Sequence, residues 1–173
     1  MTIINRAWSM PNKNTFSIKP IKELIEKYLI GKWIDPFAND SIFKDKLITN
    51  DINPNYKTNY NLDALEFLKQ FEDNSIDGIL FDPPYSIYQI IESYEGFGKI
   101  KKFSRYALEI KRIIKKNGYC ISFGWNTNGM PYEMKTNNIK EKTGFSKDKL
   151  EILIVAHGGC HNDTLITIDK KDV

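Results

Sequence analysis

Three aspartates each close an apolar run: Asp35 in "KWIDPF", Asp51 in "KLITND" and Asp82 in "SIDGILFDPPY". If these runs are parallel strands of one sheet, the acids share its carboxyl edge, where ligands of α/β sheets bind. Clustered carboxylates repel one another unless each meets a donor, so this edge calls for a ligand rich in hydroxyls and amines. Asp82 is followed by Pro83, Pro84 and Tyr85. The two prolines have no N–H and a fixed φ, so the segment is stiff and cannot continue a sheet ladder. It leaves a carboxylate, main-chain carbonyls and an aromatic ring to face something else.

Asp51 stands where an acid takes ribose hydroxyls, or serves a turn beside Asn53-Pro54. Asp63 either accepts from an amino group of the ligand or stabilises the start of the next helix.

The elements that must hold these acids follow from hydrophobic spacing. Ile18, Ile21, Leu24, Ile25 and Tyr28 fall at helical intervals, with Ser17 placed as a cap and Pro20 in the first turn. "LDALEFLKQF" is a second helix, and residues 87–94 are a candidate for another. Lys102 to Lys116 carries an apolar face and stops at Asn117-Gly118, after which "YCISFGW" reads as a strand. The eight residues between Phe37 and Lys46 leave little room for a crossover helix. "KLEILIVAH" and "DTLITID" are β-rich and separated by "GGCHN", a hairpin or longer return. The expected fold is α/β, a mainly parallel sheet with a C-terminal antiparallel strand pair.

The 173 residues suit one domain, 1–173, and the 41% hydrophobic and 27% charged content exclude wholesale disorder or a fibrous repeat. No segment has the length of a membrane span or signal peptide, and two cysteines do not make a disulfide framework, so a cytoplasmic location is expected, with no membrane partner. A net charge of +3 permits a polyanionic partner without requiring one.

Asp82-Pro83-Pro84-Tyr85 resembles the catalytic motif of N6-adenine DNA methyltransferases, which use S-adenosylmethionine. "WIDPFAND" resembles their cofactor-binding strand and precedes the motif by a suitable distance. The likeness is stronger to small adenine methyltransferase-like proteins of phages and mobile elements, where "RAWSMPNKNTFSIKPI", "TNDINP", "SFGWNTNGM" and "AHGGCHNDT" also have counterparts. It extends over nearly the whole chain and implies a Rossmann-like methyltransferase fold without a separate target-recognition domain. By this resemblance Asp82 and the Pro83 carbonyl hold the N6 amine of a flipped adenine, Pro84 stiffens the turn, and Tyr85 stacks on the base. The resemblance likewise assigns the cofactor to Asp35, Pro36 and Phe37, to Asp51 with Ile52, to Asp63 with Ala64, and to a closing segment at Thr15-Phe16. One departure is plain: Asn39-Asp40-Ser41 stands where two glycines are common, although Asn and Asp tolerate left-handed backbone.

Lys111, Arg112 and Lys115 lie in a basic stretch that either touches phosphates or forms a solvated helix face. Residues 124–150 read as a polar loop, either substrate-binding or merely exposed. Trp8, Trp33 and Trp125 read as core or pocket-wall residues. His157-Gly-Gly-Cys160-His161 is read as a turn rather than a metal site, since its three ligands are bunched with no fourth nearby. The partner is expected to be DNA or else RNA, with selectivity low, supplied by short loops, or supplied by a partner subunit or second copy. Rival readings are an RNA methyltransferase acting on adenine N6 or guanine N2, and a catalytically weak nucleic-acid- or partner-binding protein of the same fold.

Overall fold

The computed structural model describes residues 1–84, 103–136, 139–159 and 161–173. Its strands are β1 (Ile3–Trp8), β2 (Trp33–Asp35), β3 (Ile48–Thr49), β4 (Ile76–Phe81), β5 (Ile114–Gly124), β6 (Glu133–Thr136), β7 (Ile139–Lys142), β8 (Glu151–Ala156) and β9 (Thr164–Lys170). Among the described residues the helices are α1 (Lys19–Tyr28), α2 (Ala64–Leu68) and α3 (Phe103–Ile113), with a 3-10 turn at Thr15–Ser17. Seven strands form one sheet in the order β1-β8-β9-β5-β4-β2-β3, and β6-β7 form a separate antiparallel pair. Neighbours are parallel except at β9, which runs antiparallel to both β5 and β8. The mainly parallel sheet and its closing antiparallel pair thus agree with the sequence reading.

Alternation along the central strands sends side chains into two cores, one per face. Ile34, Ile79 and Phe81 pack with α2 and α3 through Phe67, Leu68, Tyr106, Ala107 and Ile110. Trp33, Leu80, Ile121 and Phe123 pack with α1 through Ile21, Leu24 and Ile25. The chain leaves β2 for β3 on one side, and β4 then pairs on the other side of β2. That reversal is the kind of switch point at which ligands of such sheets bind, and it lies at the carboxyl ends of β2 and β4, where Asp35 and Asp82 stand.

Several local expectations are corrected. Residues 3–8, which the sequence reading assigns to no element, form an edge strand that pairs with β8 in register from Ile3↔Glu151 to Trp8↔Ala156. Helix α1 begins after Ile18, and the Ser17 hydroxyl donates to the Asn14 carbonyl instead of capping it. The second helix is only Ala64–Leu68, shorter than the apolar pattern from Leu62 to Phe71. Ile114–Lys116 belong to β5 and not to α3, because Ile114 pairs with Ile76 and Lys115 bonds Asp77. The ladder then bulges at Asn117, whose φ is 65°, and at Gly118, where a Cβ would stand 2.8 Å from the Asp77 carbonyl. The segment 124–150 contains the β6-β7 pair. The candidate helix at 87–94 lies outside the described residues.

Candidate active site

Three loops at the carboxyl edge are bound together by asparagine and aspartate side chains. The β2 loop begins Asp35-Pro36-Phe37, and Asp35 Oδ1 accepts the Phe37 N–H at 3.1 Å. Asn39 takes the left-handed φ of 48° that a glycine would supply, and its side chain accepts the Asp40 N–H at 2.8 Å. The missing glycine is thereby replaced by a residue that tolerates this backbone. Asp51 accepts the Asn39 N–H at 3.0 Å and the Asn53 N–H at 2.9 Å, so it ties the β2 loop to the β3 loop and is fully buried. Ile52 beside it is half-buried.

Asn50 completes this frame. Its amide donates to the carbonyls of Pro36 (3.1 Å) and Leu62 (3.0 Å), and its oxygen accepts the Leu62 N–H (2.9 Å). Asn14 Nδ2 donates to the Asp40 carbonyl at 2.6 Å, bringing the 3-10 turn against the β2 loop. Phe16 in that turn is buried, with its ring centroid 5.0 Å from that of Phe123 and 6.3 Å from that of Phe43. Thr15 beside it is half-buried. Asp63 caps α2 by accepting the Leu65 N–H at 2.9 Å, and Ala64 is buried. The roles of Asn14 and Asn50 were not read from the sequence. A signal existed for Asn50: a polar residue between Thr49 and Asp51 at a buried strand end must find several partners.

The electrostatics single out two carboxyls. Asp35 is fully buried, and its Oδ2 has no hydrogen-bond partner. Burial holds its pKa well above the usual carboxylate range; the Phe37 N–H opposes this, while Asp82 and Asp51 add to it by repulsion. Burial pushes the Asp82 carboxyl up to about 7. Pro83 is buried, Pro84 is half-buried, and Tyr85 lies outside the described residues. Phe37 touches the Phe81 and Tyr106 rings edge-on at 5.8 Å, forming the apolar floor beneath these acids.

An unpartnered, buried carboxylate oxygen is the counterpart of a cation or an amine donor. Together with a second carboxyl poised near neutrality, it makes this edge suited to a ligand bearing an ammonium group and to a second ligand bearing an amine.

Comparison with solved structures places the architecture among Rossmann-like methyltransferases. A S-adenosylmethionine-dependent methyltransferase from Methanosarcina mazei superposes with a TM-score of 0.54 at 12% identity, covering 87% of this chain and 97% of that one. The 1,6-didemethyltoxoflavin-N1-methyltransferase of Burkholderia thailandensis, solved with bound 1,6-didemethyltoxoflavin and S-adenosylhomocysteine, gives a TM-score of 0.54 at 10% identity, covering 90% and 78%. At such identities the likeness establishes the fold. No family model and no curated protein matches the sequence.

The structure does not bring Lys111, Arg112 and Lys115 to this site. They lie where α3 ends and β5 begins, at the amino edge of the strands. Each faces acid: Lys111 with Glu141 (3.5 Å), Arg112 with Asp73 and Glu109 (both 2.8 Å), and Lys115 with Asp77 (2.9 Å). Arg112 also donates to the Phe71 carbonyl at 2.7 Å, clasping α3 to the end of the α2 segment. His157 has both ring nitrogens engaged, with the Ser9 carbonyl and the Thr164 hydroxyl, while Cys160 lies outside the described residues. Among the described residues no helix is long and apolar enough to cross a membrane.

Proposed function

We propose that the protein transfers a methyl group from S-adenosylmethionine to the N6 amine of adenine in DNA. The observation that carries this reading is the pair of perturbed carboxyls, Asp35 and Asp82, at the switch point of a methyltransferase-type sheet. Asp35 would hold the cofactor through its unpartnered Oδ2, which fits the ammonium of the methionine part, with Pro36 and Phe37 shaping the wall. Asp51, Ile52, Asp63 and Ala64 line the neighbouring loop ends expected to meet the adenosine part. When bound, the cofactor supplies a methyl group on a sulfonium with a neutral thioether as leaving group.

The chain's own contribution is positioning and proton management. The ionised Asp82 carboxylate and the Pro83 carbonyl accept the two hydrogens of the N6 amine, leaving its lone pair directed outward. Orientation of this kind is worth effective molarities of about 10⁵–10⁸ M. A carboxyl with a pKa of about 7 also matches the task of taking up, near neutrality, the proton that the amine must release. The stacking role of Tyr85 rests on the motif resemblance.

The test is transfer of labelled methyl from S-adenosylmethionine to unmethylated DNA, RNA and protein in parallel, followed by identification of the modified unit. N6-methyladenine in DNA, lost in Asp82→Ala, is the expected result. Label in RNA alone would redirect the substrate assignment, and turnover retained by Asp82→Ala would remove the role of that residue.

A further inference from the structure

The tryptophans read as core or pocket-wall residues, and the phenylalanine that opens α3, divide sharply. Trp33 is 1% exposed, but Trp8 is 66%, Trp125 is 60% and Phe103 is 44% exposed. Trp8 ends β1, and Trp125 directly follows β5. Phe103 opens α3 with its ring 5.8 Å from Phe81, the last residue of β4. Because β9 is antiparallel to both β5 and β8, and β1 is parallel to β8, the strands β1, β5 and β4 all point the same way. All three exposed rings therefore stand at the edge that carries Asp82. By strand order β1 lies four spacings from β4 and β5 lies one, roughly 19 Å and 5 Å.

We infer that this edge is a track for single-stranded DNA, whose bases stack on Trp8, Trp125 and Phe103 as the strand approaches Asp82. The inference rests on the proposed methyltransferase reading and names the form of its substrate. Two observations choose this occupant. The far end of the row carries an exposed arginine on the face of its ring, since Arg6 precedes Trp8 by two residues in β1; Arg105 is also exposed at this edge, in the first turn of α3, though two residues along a helix turn it away from Phe103. Among the described residues neither arginine is ion-paired, whereas Lys111, Arg112 and Lys115 at the opposite edge all are. An open cation beside the exposed Trp8 ring, with a second open cation at the same edge, fits a polyanion that also carries π-faces.

A duplex keeps its bases stacked on one another and offers such rings few faces, while a single strand offers every base. The turn after β8 accommodates the first ring. Gly158 and Gly159 have φ of 69° and 60°, and a Cβ at Gly158 would stand 3.4 Å from Trp8 Nε1. The main chain therefore passes close to the indole edge while leaving the ring exposed.

The test titrates the intact protein, without cofactor, with a single-stranded oligonucleotide of about 16 residues, the matching duplex, and heparin, which has charge but no bases. The single strand is expected to bind most tightly and to quench tryptophan emission. Trp8→Ala and Trp125→Ala should each weaken it by roughly 5- to 150-fold, as loss of one stacked base implies, while leaving heparin affinity unchanged. Circular dichroism of each variant controls for folding. Equal affinity for duplex or heparin, or variants that bind the single strand as the unaltered protein does, would overturn the track. Methyl transfer is assayed separately on the same proteins. Transfer with unaltered binding in the variants removes the track and keeps the activity; stacking that the variants abolish, in a protein that methylates nothing, does the reverse.

Discussion

At the scale of single residues, Asp82 and Asp35 carry opposite burdens. Asp82 must be ionised to accept from an amine, yet burial pushes its pKa up to about 7. The kcat/KM for methyl transfer should therefore rise about tenfold per pH unit below 7 and level off above it. A flat profile between pH 6 and 8 would show that the ionised form is not required. The same shift acts on stability: the folded pKa lies above the unfolded one, so the folded state loses stability as pH rises from about 4 through 7. Asp82→Asn should gain on the unaltered protein across that window while losing activity.

Asp35 has no internal donor for Oδ2, so Asp35→Asn should leave the free protein at least as stable. Affinity for S-adenosylmethionine should nevertheless fall by roughly 10- to 150-fold, the worth of a hydrogen bond to a charged group. Calorimetric titration reads this directly, and an unchanged Kd would remove Asp35 from the cofactor pocket.

At the scale of elements, the loops of the carboxyl edge are held by Asn50 more than by any regular structure. From the end of β3 it satisfies Pro36 and Leu62, linking the β2 loop to the approach of α2. Asn50→Ala should cost about 2–4 kcal/mol, because buried main-chain groups lose their partners; urea unfolding midpoints measure this, and a change below 0.5 kcal/mol, the usual range of surface substitutions, would contradict it.

The sequence made some elements legible and concealed others for physical reasons. The ends of β2 and β4 were readable because an apolar run stops at Asp-Pro in both. The α3–β5 boundary was not, since Ile113 and Ile114 are apolar in either state and only the pairing with Ile76 decides between them. Residues 3–8 show little alternation because most of that edge strand is exposed, and its partner lies far along the chain. The exposure of Trp8 and Trp125 was equally hidden, since residue type speaks for burial and only topology puts these rings at an open edge.

At the scale of the molecule, the sheet order sets a division of labour. The amino edge is closed by ion pairs such as Lys115–Asp77 and by Lys171, whose ammonium donates to the carbonyls of Lys111 (2.7 Å) and Ile114 (2.6 Å). The carboxyl edge gathers Asp35, Asp51 and Asp82 and the exposed rings. A ligand that binds this edge and favours the folded state should raise the melting temperature. At 100 times its dissociation constant S-adenosylmethionine should add about 2.7 kcal/mol, a rise of roughly 5–10 °C, and no rise at saturating cofactor would count against the pocket.

The pairing of β1 with β8 also has a consequence for how the protein is made. Ile3 meets Glu151 only after nearly all the intervening chain has left the ribosome, which at 5–20 residues per second is roughly 7–30 s. During that interval a segment with two adjacent isoleucines has no strand to join, so the nascent chain passes through a stage in which chaperone protection of residues 3–8 matters more than it ever does in the finished protein.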